Sequence, residues 1–200
     1  MENIKLKTWA DISVSQFYKI KDIIEGPQDD YMALNLLDII YDIDSSNMPI
    51  SELNKYNGAL EFLNTEIPLV NLEEKYEING IIYMTGYNLS KISAAQFIDY
   101  NNYTGTNKYE DYLSVVFIPE GHQYNDGYDI DQVKKDLLNL PITVVRSLVF
   151  FYTLQCTKLQ NSFLSYLKKD LRKMKMEKEK RKEIEELINK LEKTNLELFQ

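Results

Sequence analysis

Two hundred residues with 44 % apolar content suffice for one sizeable core, so wholesale disorder is excluded. A single Cys (Cys156) and a single His (His122) exclude an intramolecular disulfide and a His/Cys zinc or haem constellation. The net charge of −8 is unevenly spread: residues 1–167 hold 12 Lys and Arg against 23 Asp and Glu, whereas 168–182 hold nine cations against three anions. An acidic, tyrosine-rich body, with 15 Tyr and 8 Phe, therefore runs into a locally basic segment.

The N-terminal stretch Met1 to Ile12 has no apolar leader pattern, and the most apolar run, Ile142 to Leu154, is short and carries Arg146. The expectation is a soluble, intracellular chain. At Ile12-Ser13-Val14-Ser15-Gln16-Phe17, Ser13 is placed to cap a helix and Gln16 to reach back to its amide, while Ile12 and Phe17 form a staple across the same turn. The pattern returns 80 residues later as Ile92-Ser93-Ala94-Ala95-Gln96-Phe97. Asp30-Tyr31-Met32 likewise matches Asp111-Tyr112-Leu113. An internal repeat is expected, although shared helix-start chemistry would produce part of the match by chance. Its copies span about 12–63 and 92–139. Each reads as three helices: 13–25, 29–43 and 51–63, then 93–103, 107–118 and 131–139.

Between the copies, alternation around Asn79-Gly80 predicts a hairpin with a type I′ turn, to which Asn3 to Lys7 is a candidate third strand. After Pro141, residues 142–167 are apolar almost all round and are expected to form the central buried helix, with Cys156 inert inside it. Residues 168–200 read as a charged helix with an apolar seam of Leu171, Met174, Ile184, Leu187, Ile188, Leu191 and Leu198. That seam suits a partner groove, a second copy, or the body of its own chain. The expected class is mainly α with a small β-hairpin or sheet. It comprises a body over 1–167, with two pseudo-repeated three-helix units and the central helix, and a C-terminal helix over 168–200.

Candidate chemistry is sparse. Asp126, Asp129 and Asp131 could gather around a divalent ion, but they lack the spacing of a calcium loop. The better reading is a turn at Asn125-Asp126-Gly127 with Asp131 capping the next helix. His122 could act as a base near Glu120, yet the sequence pairs no nucleophile with it. Glycine-rich phosphate loops are missing from the sequence, so no enzyme activity, cofactor or metal is expected. Lys168, Lys169, Arg172 and Lys173 open the basic stretch and are the candidate phosphate contacts of an alternative, nucleic-acid-binding reading. The glutamates interleaved with those cations favour a solvated helix instead.

The start Lys7-Thr8-Trp9-Ala10-Asp11-Ile12-Ser13-Val14-Ser15-Gln16-Phe17 resembles that of small morphogenesis proteins of tailed bacteriophages, including crAss-like phages of gut bacteria. Ile92 to Phe97, Ile118-Pro119-Glu120-Gly121 and Tyr124 to Tyr128 are similar to the same group, and the likeness covers roughly residues 5–167. The resemblance implies a non-enzymatic tail assembly chaperone or a permanent virion component, such as a connector or ring protein. Such a protein binds other phage proteins, or itself, in the host cytoplasm during assembly or in the particle, and has no membrane role.

Overall fold

The computed structural model describes residues 4–27, 29–86, 92–103, 106, 108–173, 182 and 186. The chain is mainly helical with one small antiparallel sheet, and it divides into two compact units, residues 1–149 and 150–200. That division falls within the last helix, whereas the charge character changes at 167/168.

In the first unit, a single turn at Trp9–Asp11 leads into α1 (Val14–Glu25). The capping box forms as expected: the Gln16 N–H donates to Ser13 Oγ (3.2 Å) and the Ser13 N–H donates to Gln16 Oε1 (3.1 Å). The first two helical amides, Val14 and Ser15, find the carbonyls of Leu140 and Leu138 at 3.0 Å each, and the Ile142 amide returns to the Ile12 carbonyl at 2.8 Å. Residues 12–15 and 138–142 thus satisfy each other's otherwise orphaned helix-end groups. At Gly26 the chain turns away, and a Cβ there would meet the Asp22 carbonyl at 2.8 Å.

Helix α2 (Met32–Tyr41) buries Leu36, Leu37 and Ile40, and packs on α1. The helix expected over 51–63 is instead α3 (Ile50–Leu53) followed by separate turns at Asn54–Tyr56 and Glu61–Asn64. Gly58 lies between those turns at φ +78, a conformation no helix admits.

Strands β1 (Lys75–Ile78) and β2 (Ile81–Thr85) pair as predicted, with Ile78 opposite Ile81 and both turn residues at positive φ: Asn79 at 53° and Gly80 at 80°. The third strand is not residues 3–7. After α4 (Ala94–Tyr103) and α5 (Tyr109–Leu113), β3 (Phe117–Pro119) pairs antiparallel with β2. The helix expected over 107–118 therefore stops early. Val115, Val116 and Phe117 are stiff or aromatic residues, all buried, that suit an extended path better than a helix. Helix α6 (Ile130–Leu137) is capped by Asp129, not Asp131; the Asp129 carboxylate accepts from the Asp131 and Gln132 amides at 3.0 and 3.1 Å. The Asn125 to Gly127 turn is present, with Asn125 and Gly127 at positive φ.

The last helix, α7 (Ile142–Lys173), begins directly after Pro141. It is not buried all round. Ile142, Val145, Leu148, Tyr152 and Cys156 recur at three- and four-residue spacing and are buried, while Phe150, Leu154 and Leu159 are exposed. In the second unit Leu164 is also buried, and the Phe151 and Tyr152 rings meet edge to face at 5.5 Å.

Candidate functional site

Asp136, on the inner face of α6, is 1 % exposed, and its carboxylate accepts from three neutral donors. Those donors are the Tyr83 hydroxyl (2.5 Å), the Asn79 side-chain amide (2.8 Å) and the Gln132 amide (2.9 Å). Asn79 is itself the first turn residue of the hairpin, so its left-handed backbone aims its amide back at α6. Burial, and then the bond to Asp136, push the Tyr83 hydroxyl pKa well above its ordinary value. This network fastens the hairpin tip and β2 to α6.

Above it lies an open cleft of about 500 Å³ between the hairpin, the 119–122 loop and the start of α6. Ile82 and Val133 form part of its apolar wall, and Glu120, His122, Tyr128 and Asp129 line it as well. The pairing of His122 with Glu120 that the sequence allowed, against the better reading of an ordinary loop histidine, does not form. Glu120 pairs with Lys75 across the sheet, whereas His122 Nδ1 lies 3.8 Å from Asp126 and its ring meets Tyr128 edge to face at 5.9 Å. The Tyr128 hydroxyl is buried with no hydrogen-bond partner among the described residues, and burial raises its pKa. Asp129 is committed to its cap, and the described residues hold no group of three or more His, Cys, Asp or Glu suited to a metal ion. Among them the cleft brings no Ser or Cys to the imidazole.

A second polar centre joins α1 to α5. The Tyr18 hydroxyl donates to Glu110 Oε2 (2.7 Å) and accepts from the Tyr109 amide (2.6 Å), with the two rings stacked 6.0 Å apart. Tyr112 stands edge-on to Tyr109 and to Tyr100, each at 6.0 Å. Burial first, and the Glu110 bond second, hold the Tyr18 hydroxyl above its usual pKa. No single-residue signal in the sequence marks this cluster, because the partners lie about 90 positions apart.

On α7, Cys156 is buried as expected, and burial raises its thiol pKa to about 11. Lys169 is exposed and Lys168 half-buried; Arg172 and Lys173 fall in the last turn of the helix. Leu171 lies on α7, but its side chain, together with Met174, Ile184, Leu187, Ile188, Leu191 and Leu198, falls outside the described residues. The sequence reading overlooked a different set. Phe150, Leu154, Leu159 and Tyr166 on α7 are between 39 and 61 % exposed. Their apolar run reads as core until the 3.6-residue period separates the buried stripe from these positions.

Among the described residues no helix is long and apolar enough to cross a membrane. Compared with known proteins, the chain matches no family model, no curated protein and no solved structure.

Proposed function

We propose that this chain is a non-enzymatic, protein-binding component of bacteriophage morphogenesis, acting in tail or head–tail assembly and built on two copies of one helical unit. The observation that carries the binding reading is the exposure of Phe150, Leu154, Leu159 and Tyr166 within 17 residues of one helix. Phe150 and Leu154 sit one turn apart on one side of α7, and Leu159 and Tyr166 two turns apart on another, so two apolar strips face solvent. Such strips are surface that the apolar side chains of a partner protein can cover. The phage context rests on the resemblance of Trp9 to Phe17 and of residues 92–128.

Two further observations support binding over catalysis. The one thiol is buried with its pKa raised, which disfavours the nucleophilic thiolate. The one imidazole is exposed and engaged with a carboxylate and a ring.

The duplicated unit is supported by two glutamines with the same three contacts. Gln96 accepts from the Ser93 amide (2.9 Å), its own amide donates to Ser93 Oγ (3.1 Å), and its Nε2 reaches the Val115 carbonyl at 3.2 Å. Gln16 repeats the pattern, with its Nε2 on the Ile39 carbonyl at 2.9 Å.

Affinity capture on the full chain from phage-infected cells tests the binding reading. A virion polypeptide should be retained by the native chain and lost when Phe150 and Tyr166 are replaced by Asp. Equal retention by both chains would refute it. Mass spectrometry of purified particles then separates a permanent component, present there, from a chaperone found only in the lysate.

A further inference from the structure

The chain contains two Asn-Gly pairs, Asn57-Gly58 and Asn79-Gly80, and each lies in a tight turn, the first closed by the Ala59 amide on the Tyr56 carbonyl at 2.9 Å, the second at the hairpin tip. Such a pair is chemically labile, because glycine has no side chain to keep its backbone nitrogen away from the preceding Asn side-chain carbonyl carbon. At the tip the nitrogen is open. Asn79 and Gly80 are both exposed, a Cβ on Gly80 would meet nothing within 4 Å, and among the described residues the Gly80 N–H donates to no acceptor. The restraint lies on the other reactant, since the Asn79 side-chain amide donates to the buried Asp136 carboxylate at 2.8 Å. Asn57 is exposed too, and its side chain has no such bond among the described residues.

We infer that Asn79 is a site of spontaneous deamidation, held in check by its bond to Asp136, and that its conversion releases the hairpin tip from α6. The Gly80 nitrogen bonds to the Asn79 side-chain carbonyl carbon, the bond from that carbon to the amide nitrogen breaks, and ammonia leaves with the proton that Gly80 gives up. The product is a cyclic imide, and one water opens it. Cleavage at the side-chain carbonyl restores the backbone and leaves aspartate at position 79; cleavage at the backbone carbonyl leaves isoaspartate, whose main chain runs through the former side chain. Water is the sole co-reactant.

Both products undo the fastening. Aspartate offers Asp136 no N–H and brings a second carboxylate toward a buried one, an arrangement that like-charge repulsion disfavours. Isoaspartate lengthens the main chain by one carbon, so the two-residue turn that sets Ile78 opposite Ile81 no longer closes. Ordinary opening of the hairpin reverses itself, whereas this change does not.

The test ages the full chain in mildly alkaline buffer, with and without urea, and follows residues 57 and 79 by peptide mapping with mass spectrometry. In urea the two sites should convert at similar rates. In the folded chain residue 79 should convert roughly tenfold more slowly than in urea, the factor expected when the amide must first leave a hydrogen bond to a charged group. Ion exchange separates the chains converted at 79, which should unfold at a lower urea midpoint than chains converted at 57 alone. Asn79→Asp should show the loss without ageing, and the added change Asp136→Asn should recover part of it, because amide and carboxylate then trade places.

A residue 79 that keeps its amide in the folded chain after the urea sample has fully converted would overturn the site. Equal rates with and without urea would overturn the restraint by Asp136. A midpoint unchanged in the converted fraction and in Asn79→Asp, or a double variant no more stable than Asn79→Asp, would overturn the release of the hairpin by facing carboxylates.

Discussion

Helices α1 and α4 start with the same local chemistry and end in different surroundings. Both glutamines close a capping box and extend their side-chain amide to a carbonyl near the end of the next helical segment. The reach differs in sequence, 23 residues from Gln16 to Ile39 and 19 from Gln96 to Val115, because α2 runs for ten residues and α5 for five. In the second half the chain leaves α5 for a strand and gains a buried carboxylate network at Asp136. The comparison teaches that a cap determines where a helix begins, whereas the next buried partner determines how far it runs.

The largest effect should come from breaking what the second half adds. Asp136→Ala leaves the buried Tyr83 hydroxyl without its acceptor, while the exposed Asn79 and half-buried Gln132 amides can turn to water, and for one buried donor left unsatisfied together with the lost carboxylate bonds the unit should lose about 2–3 kcal/mol. Urea denaturation followed by circular dichroism reads this as a lower midpoint. A loss under about 1 kcal/mol would mean that water reaches those donors and the network is not a fastening. Next comes the shared element itself. Gln96→Ala should cost about 2 kcal/mol and Gln16→Ala about 1 kcal/mol, since both lose a cap but Gln96 also gives up a fully buried bond. Equal losses in the same denaturation series would show that the two surroundings do not differ energetically.

Much of this contrast was not legible in the sequence. The starts of α1 and α4, the type I′ hairpin and the long helix after Pro141 were readable because each is set by residues within four positions of one another. The third strand was not, since the alternating Asn3 to Lys7 and the apolar Phe117 to Pro119 both pass as short extended segments, and only tertiary pairing to β2 selects between them. Asp129 took the cap expected of Asp131 because α6 begins at Ile130, two residues before a helix capped by Asp131 would begin. The Asp136 network and the Tyr18 cluster join residues 53 to 92 positions apart, which no local pattern encodes. On α7 the sequence suggested burial all round, because hydropathy counts apolar residues without saying which face has a neighbour.

Alkaline titration sharpens the comparison from another side. Tyr83, Tyr112, Tyr124 and Tyr128 in the hairpin and second half, and Tyr18 reaching into it, all have hydroxyl pKa values raised mainly by burial. A group whose pKa is higher folded than unfolded contributes stability in full below its unfolded value, here 10.0, and that contribution is lost as pH rises through the folded value. Melting temperature should therefore hold up to pH 10 and fall above it, with the late phenolate absorbance near 295 nm rising together with unfolding. Cys156 follows the same sign, from 9.0 to about 11, so at pH 8–9 its alkylation should be slower in the folded chain by roughly tenfold to a hundredfold than in urea. Phenolate absorbance that completes while the fold is intact would show these hydroxyls in contact with water.

The smallest effects come from Tyr18 and Ile98, each five residues after its capping serine. Tyr18→Phe removes an acceptor from the Tyr109 amide and a donor from Glu110, and should cost about 1–2 kcal/mol. Ile98→Ala trims a side chain that is mostly in solvent, and at high dilution its effect should lie within about 0.5 kcal/mol. The gap between the two is the energetic form of a plain difference: Tyr18 of α1 is bonded to α5, whereas Ile98 of α4 is exposed. Equal losses at the two positions would show that the Tyr18 bonds to α5 add nothing beyond ordinary surface.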